Sequence, residues 1–208
     1  MKFENTEVWG FEHAIRGMRN PMESWDKSDS YYGNNEIGLE SYVIGSNDMK
    51  LMKTLIKAGP EHRKFLRQIF ISVDITAPLY WWKEFDTYKV GTVADSCSTM
   101  HKLKDTPITV ECFEMGDYCG FFETPWKNLI ALLEQCRKEY NKTKDERYWK
   151  ELVRLLPESW LQKRTVTMSY ENVANMYSQR MNHKLTEWSE DFIQWADNLP
   201  YFKELFTV

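Results

Sequence analysis

The sequence predicts an α/β chain of the α+β type, and three observations lead to that fold class. In the run Ile69–Ile75 every second residue is isoleucine or valine, which is the period of a strand with one buried face. Between Val173 and Phe192 apolar residues recur every three to four positions, which is the period of an amphipathic helix. Hydrophobic residues make up 42% of the chain, including 9 Trp, which is typical of a globular protein. A length of 208 residues predicts a single domain, 1–208, with its own core.

The N-terminal third predicts a strand, a short helix, a loop and a second helix. Val8–Met18 reads as a strand that runs into a short helix. Met22–Asn35 is polar and rich in turn residues, so it predicts a surface loop, with a lid over a pocket as the functional alternative. Ser46–Asp48 offers N-cap chemistry for a helix that Gly59-Pro60 ends.

The stretch Thr76–Leu103 joins a strand, a helix and a polar segment. Pro78 suits the first turn of a helix because its missing N–H would have no partner there. Gly91 ends the apolar helix, and Thr92–Thr99 is then crowded with short hydrogen-bonding side chains. Such a loop on a rigid scaffold often carries a site, and the alternative is an ordinary Ser/Thr-rich loop.

The C-terminal half predicts two more strands and several helices. Pro107–Cys112 and Lys163–Met168 read as strands, and Thr124-Pro125 reads as a helix start. Ser169 can cap a last long helix from Tyr170 to about Ala196.

One face of that last helix is polar beside its apolar stripe. Asn172, Asn175 and Gln179 share it, and Arg180 lies on the same turns. Two amides and an arginine in this arrangement suggest the wall of a polar pocket. A solvent-facing side is the alternative interpretation, and the pattern does not separate the two.

Charge, hydropathy and cysteine usage exclude several classes of protein. The formal net charge of -4 argues against non-specific binding of nucleic acid. No run of about 18 apolar residues predicts a membrane span, and the N-terminus has no secretory h-region. The 4 Cys residues form no CxxC pair and the histidines have no zinc-site spacing, so we expect reduced thiols in a cytoplasmic protein without a metal. Neither a GxGxxG nor a GxxxxGK[ST] motif is present.

Two blocks of the sequence resemble the flavin-dependent thymidylate synthases. Members of that family run from a strand into an Ala-Pro-apolar-aromatic helix start, as at Ala77–Tyr80, and then into the signature RHRxxSxNxxSxRY. Counted without a gap, the signature falls on Thr87–Met100, TYKVGTVADSCSTM. The family's later LP and NLLNFLRLR blocks resemble Leu156-Pro157 and Asn172–Arg180, with both asparagines and the last arginine in register. The resemblance covers about Leu66 to the C-terminus.

The signature itself is strongly altered. Lys89, Thr92 and Cys97 replace an arginine and two serines and keep the chemistry approximately. A lysine is a point charge, however, and does not make the planar fork of an arginine. The other departures are Thr87 and Tyr88 for Arg-His, Ala94 for the asparagine, and Thr99 and Met100 for the last Arg-Tyr.

The resemblance implies a thymidylate synthase complementing protein-like fold, with a central, mostly antiparallel sheet packed with helices. It implies FAD-dependent reductive methylation of dUMP to dTMP, with methylenetetrahydrofolate and NADPH as co-substrates, or a closely related pyrimidine nucleotide reaction. It also implies a homotetramer with sites shared between subunits. The alternative is a catalytically silent homologue that binds nucleotide, or serves assembly, without flavin.

The resemblance also assigns candidate site residues. Those carried over to the substrate are Arg180, Arg154, Glu84, Asp95, Cys97 and Ser98. Those carried over to the flavin are Tyr88, Lys89, Thr92, Asn172 and Asn175. No residue is assigned as a certain catalytic group. His101, Lys102 and Lys104 are further candidates for the positive charge that the signature has lost.

Cys97 raises the question of a protein nucleophile. A reactive thiol needs a lowered pKa or a neighbouring base, and His101 is the candidate base in the sequence. A structural thiol or a simple nucleotide contact is the alternative, and we favour it.

Overall fold

The computed structural model describes residues 1–34, 40–116 and 119–206, and it confirms the mixed fold class. Its strands are β1 (Lys2–Trp9), β2 (Tyr31–Asn34), β3 (Glu40–Val43), β4 (Phe70–Pro78), β5 (Val93–Ser96) and β6 (Leu161–Ser169). Its α-helices are α1 (Phe11–Arg19), α2 (Ser46–Lys57), α3 (Leu79–Phe85), α4 (Thr99–Lys102), α5 (Glu123–Thr143), α6 (Glu146–Leu155), α7 (Tyr170–Arg180), α8 (Ile193–Asp197) and α9 (Phe202–Phe206). The main antiparallel sheet has the order β1-β4-β6-β5, and β2 pairs with β3 in a separate antiparallel hairpin.

The chain forms two compact units. The first unit comprises Met1–Glu4, Asp74–Lys89 and Ala94–Thr165, and the second comprises Asn5–Val73, Val90–Val93 and Val166–Val208. Strands β1, β4, β5 and β6 each contribute residues to both. No helix in the described ranges is long and apolar enough to cross a membrane.

The first unit is built on an apolar core and an aromatic helix. Leu103, Phe113 and Leu133 are buried in that core. Helix α3 packs its own aromatic side chains together, with the rings of Trp81 and Phe85 stacked at 5.2 Å between centroids. Helix α3 follows β4 directly and lies just ahead of the altered signature.

The second unit contains a buried polar network around Asp48. Its carboxylate accepts hydrogen bonds from Arg19 Nε at 2.6 Å and from the hydroxyls of Ser28 and Ser30, both at 2.7 Å. The Asp29 carboxylate accepts from two backbone N–H groups at the start of α2 and so caps that helix. This part of the predicted loop Met22–Asn35 is therefore tied to the unit, whereas Asn35 itself lies outside the described residues.

Several sequence predictions of local structure were wrong. Pro78 ends β4 and precedes α3, instead of lying in its first turn. Thr92–Thr99 is not a simple loop, because Val93–Ser96 forms β5. The predicted last helix ends at Arg180, where a turn intervenes, and it resumes as a π-helical segment, Glu187–Phe192, followed by α8.

Pro107–Cys112 is not a strand either. It is irregular as far as a 3₁₀ turn at Val110–Cys112. The reason is visible in its hydrogen bonding, because the Ile108 N–H donates to the side chain of Glu134 at 2.9 Å and not to a neighbouring strand. Backbone groups that a side chain satisfies do not need a ladder partner.

Glu134 gives a pH-dependent prediction. The Arg137 guanidinium, with the Ile108 N–H, lowers the pKa of this half-buried carboxyl to about 2. Its contribution to stability is therefore fully present above the ordinary value and is lost as pH falls from 4.5 towards 2. We expect Glu134→Gln to lower the free energy of unfolding by about 1.5 kcal/mol at pH 7. Denaturant unfolding should show that difference shrinking below pH 4.5, and a constant difference would contradict the assignment.

Candidate functional site

A cavity of about 380 Å³ lies in the first unit, where the chain leaves β5 and enters α4. Cys97, Ser98 and Thr99 line it from one side, and Gln162 and Lys163 of β6 line it from the other. Two of the predicted substrate residues, Cys97 and Ser98, thus lie at a concave and partly polar surface.

Backbone and amide hydrogen bonds hold this segment beside β6. The N–H of Cys97 donates to the carbonyl of Lys163 at 2.9 Å. Gln162 Nε2 donates to the Cys97 carbonyl at 3.0 Å and to Thr99 Oγ1 at 3.3 Å. The cavity wall is therefore set by the strand and not by a free loop.

Ser98 is both the cap of α4 and the partner of His101. Its hydroxyl accepts from the His101 N–H at 3.2 Å, and it lies 2.8 Å from His101 Nδ1. The hydroxyl can donate to Nδ1, which leaves the histidine engaged with Ser98. His101 is thus positioned to fix the Ser98 hydroxyl through its Nδ1.

The cavity carries charges of both signs. Lys102 and Lys163 line it together with Glu111 and Glu114. Lys163 Nζ lies 3.1 Å from a carboxylate oxygen of Asp74, and this contact raises the pKa of the lysine. Ammonium groups, hydroxyls and an amide around one concavity can bind a phosphate or the polar edge of a base.

The exposed thiol of Cys97 provides a direct test of covalent chemistry. Serine has nearly the same size and would preserve a polar contact, so we expect Cys97→Ser to keep activity within about threefold of the parent. The measurement is the rate of the reaction that the family resemblance implies, product formation from dUMP, with Cys119→Ser, another exposed cysteine of the same unit, as the matched control. Complete loss in Cys97→Ser alone would revive the nucleophile hypothesis.

Arg164 is a further candidate site residue, which the sequence patterns did not indicate. Its guanidinium stacks over the Trp82 ring at 4.2 Å and pairs with Asp86 at 2.9 Å, directly before the altered signature. Trp82 is itself fixed, because its Nε1 donates to the Gln162 carbonyl at 2.9 Å. The available signal was the alternation of Gln162 and Arg164 on one face of a strand.

The remaining candidates of the first unit do not line the described part of this cavity. Glu84 is half-buried on α3, and Asp95 is exposed on β5. Tyr88 is half-buried and Lys89 exposed just after α3. Arg154 is exposed on α6, where it pairs with Glu151 at 2.5 Å. Their assignment to substrate or flavin stays a prediction.

In the second unit, Asn172 holds the signature segment to the start of α7. Its Oδ1 accepts from the Ser169 backbone N–H at 3.1 Å, which completes a capping box, and also from the Ser169 hydroxyl at 2.7 Å. Ser169 thus caps this helix as predicted. Its Nδ2 donates to the Val90 carbonyl at 2.9 Å. Gly91 follows at φ 79°, and a Cβ there would lie 3.4 Å from Asn172 Oδ1. Asn172 therefore positions the segment that leads to Thr92.

The rest of the polar face of α7 also makes contacts within the second unit. Asn175 Oδ1 accepts from Arg63 Nη2 at 3.0 Å, and Arg63 Nε lies 3.5 Å from the Glu171 carboxylate. The Arg180 guanidinium lies over the Trp188 ring, 5.0 Å from its centroid. Arg180 is half-buried, so its planar group is oriented by the ring.

The fold matches solved structures along its whole length. The flavin-dependent thymidylate synthase ThyX from Helicobacter pylori, complexed with FAD and dUMP, covers 100% of this chain with a TM-score of 0.75 at 16% identity. A second structure of that protein with FAD and dUMP gives 0.74 at 17% identity, and this chain covers 98% of each. The chain thus has the fold of ThyX, as the sequence resemblance predicted.

A UMP/dUMP methylase has a similar fold. The UMP/dUMP methylase PolB from Streptomyces cacaoi, bound with 5-Br dUMP, covers 99% of this chain at a TM-score of 0.65 and 14% identity, with 94% of its own length matched. No protein-family model and no curated protein sequence matches the chain significantly. The likeness is therefore one of three-dimensional structure at low sequence identity.

Proposed function

We propose that this chain binds a pyrimidine nucleotide of the dUMP type and methylates it reductively, with FAD as cofactor and methylenetetrahydrofolate and NADPH as co-substrates. The observation that carries the proposal is the full-length match to ThyX and PolB, whose structures hold dUMP or its bromo analogue. Two methylases that accept uracil nucleotides on this fold support a substrate of the same class.

The nucleotide-binding groups are proposed separately for each unit. In the first unit, the hydroxyl of Ser98 and the ammonium of Lys102 line the cavity and can bind phosphate oxygens. Cys97, between them and β6, supplies a polar contact in place of the family's serine. In the second unit, the ring-oriented guanidinium of Arg180 is the group that we assign to dUMP.

The donor types on the signature segment fit a flavin dinucleotide. Lys89 brings an exposed ammonium for the diphosphate, Thr92 a hydroxyl, and Tyr88 an aromatic ring. Asn172 holds the backbone of this segment at Val90. The Oδ1 of Asn175 accepts a hydrogen bond from Arg63, and the N–H groups of its side-chain amide are donors.

The protein's part in such a reaction is positioning and charge. When bound, FAD carries the hydride from NADPH that completes the methyl group. Arg180 would neutralise and orient the nucleotide, which raises the effective concentration of the reacting carbon. Ser98 keeps its proton shared with His101 Nδ1 and needs no covalent role.

The absorption spectrum tests this function most directly. We expect the purified protein to show flavin bands, either as isolated or after FAD and dUMP are added, and NADPH to bleach them. Formation of dTMP from dUMP and methylenetetrahydrofolate then completes the test. A protein that takes up no FAD in the presence of dUMP would overturn the flavin part of the proposal.

One observation favours a second candidate, the catalytically silent nucleotide-binding homologue. Asn172, which the resemblance assigns to flavin, has both ends of its amide engaged within the chain, and the signature has lost its histidine and all three arginines, one of them to a lysine. Such a protein would bind dUMP in calorimetry and form no dTMP.

We further propose a homotetramer in the cytoplasm, and light scattering on the eluted protein measures the subunit number.

A further inference from the structure

A second cavity, of about 650 Å³, lies in the second unit and is lined mainly by aromatic side chains. None of the residues assigned above to the nucleotide or to the flavin is among the described residues that line it. Its volume lies in the range of small-molecule sites. The inference drawn from it does not depend on the proposed methylation.

The rings of this cavity meet at steep angles. Tyr32 and Tyr42 contact at 5.1 Å between centroids with 70° between their planes, and Phe11 and Tyr201 contact at 5.5 Å with 79°. Trp9 also lines the cavity, and it keeps 44% of its surface exposed. The five Trp, Tyr and Phe residues named here all line this one cavity, and the face of each such ring carries the negative part of its quadrupole.

The aromatic walls are held in place before any ligand arrives. The Tyr201 hydroxyl accepts from the Ile44 N–H at 3.3 Å and donates to the Tyr42 carbonyl at 3.2 Å. Tyr201 has a left-handed backbone, with φ 60°, which is uncommon for a bulky aromatic residue. A preorganised wall reduces the entropy lost on binding.

The lining of the cavity also includes an acidic side chain. Glu12 lines it, and its carboxylate accepts from the Tyr32 hydroxyl at 2.9 Å. Among the described residues of its lining there is no lysine and no arginine. Burial raises the pKa of Tyr42, and the carboxylates of Asp48 and Glu12 raise it further.

From these observations we propose that the cavity binds a small organic cation of the methylated-ammonium class, held against the rings of Trp9, Tyr32 and Tyr42 with Glu12 as its counter-charge. Ring faces attract a cation through their quadrupole, and quaternary ammonium groups are bound in this way by aromatic cages. A carboxylate at the edge of the cage selects charge, because a neutral group of the same shape gains nothing from it.

Choline and 3,3-dimethylbutan-1-ol have nearly the same shape, but only choline is positively charged, so comparing their binding isolates the effect of the charge. Ligand-observed NMR and calorimetry at pH 7 should show choline binding at least about tenfold more tightly than the alcohol. Glu12→Gln should weaken choline binding by about fivefold or more and leave the affinity for the alcohol unchanged. Glu7→Gln, an exposed glutamate of the same unit outside the cavity lining, is the matched control.

A second variant tests the rings. Trp9→Leu should weaken choline binding without lowering the affinity for dUMP. Thermal unfolding should confirm that the variant is folded. Equal binding of choline and the alcohol, no binding of either, or an unchanged choline affinity in folded Glu12→Gln and Trp9→Leu would each overturn the proposal. Failure of the methylation assay would leave these measurements unaffected.

Discussion

Replacement of Asp48 by alanine is expected to lower the free energy of unfolding by about 3–5 kcal/mol, the usual cost of breaking a buried ion pair from one side. Arg19 is 4% exposed and Asp48 is fully buried, so the guanidinium would lose its charge partner without gaining water. The hydroxyls of Ser28 and Ser30 would lose their acceptor as well. The loss is large because five donor groups share one carboxylate, the backbone N–H groups of Asp29 and Ser30 being the other two.

The same site predicts a pH dependence. Burial alone would raise the pKa of Asp48, but hydrogen bonds from Ser28, Ser30 and Arg19 outweigh it and lower the pKa. A lowered pKa stabilises the fold above the ordinary carboxyl range, and that stabilisation is lost as pH falls. Asp48→Ala should therefore unfold with less acid dependence than the parent.

Urea unfolding followed by circular dichroism measures both effects. Asp26→Asn serves as the control, because Asp26 is exposed and lies in the same unit. We expect the control to change stability by less than about 0.5 kcal/mol. If Asp48→Ala unfolded at the same urea concentration as Asp26→Asn, the network would not stabilise the protein as argued.

The second large effect concerns the proposed nucleotide contact. Arg180→Ala is expected to weaken dUMP binding by about 1.5–3 kcal/mol, the range for a hydrogen bond to a charged group. Arg180→Lys should give an intermediate loss, because a lysine keeps the charge and lacks the planar fork. Calorimetric titration with dUMP measures the dissociation constants.

Removing Arg180 also removes its stacking on Trp188, so folding must be checked separately. Thermal unfolding of the variants supplies that check, and Arg16→Ala, an exposed arginine of the same unit, controls for the change in net charge. An unchanged dissociation constant in a folded Arg180→Ala protein would remove Arg180 from the binding site.

The sequence predicted those elements whose periodicity or cap is visible in neighbouring residues. Strand β4 follows the alternation of Ile69 to Ile75, and Ser169 caps α7 as its position next to an amphipathic run indicated. The resemblance at Ala77–Tyr80 led to the correct fold, because that strand-to-helix entry has a distinctive pattern. In these cases nearby residues contain the necessary information.

The errors arose where distant residues decide the structure. The predicted strand around Ile108 does not form, because the Ile108 N–H donates to the side chain of Glu134, 26 positions away. Hydrophobic periodicity does not reveal such a contact. Asp48 looked like a helix cap, but Arg19 and Ser28 made it the buried centre of a network. The aromatic cavity likewise combines Trp9, Tyr32 and Tyr201 from separate segments, so no single stretch of sequence indicated it.

The double engagement of Asn172 has a consequence for any mutational survey of this protein. Because one amide caps α7 and also holds the Val90 carbonyl, its removal would release the signature segment even if no cofactor touches it. An inactive Asn172 variant would then be interpreted as having lost a ligand contact, although it had lost the hydrogen bond that holds the Val90 backbone. A variant scan can distinguish the two only if proteolytic cleavage near Val90 is measured alongside turnover.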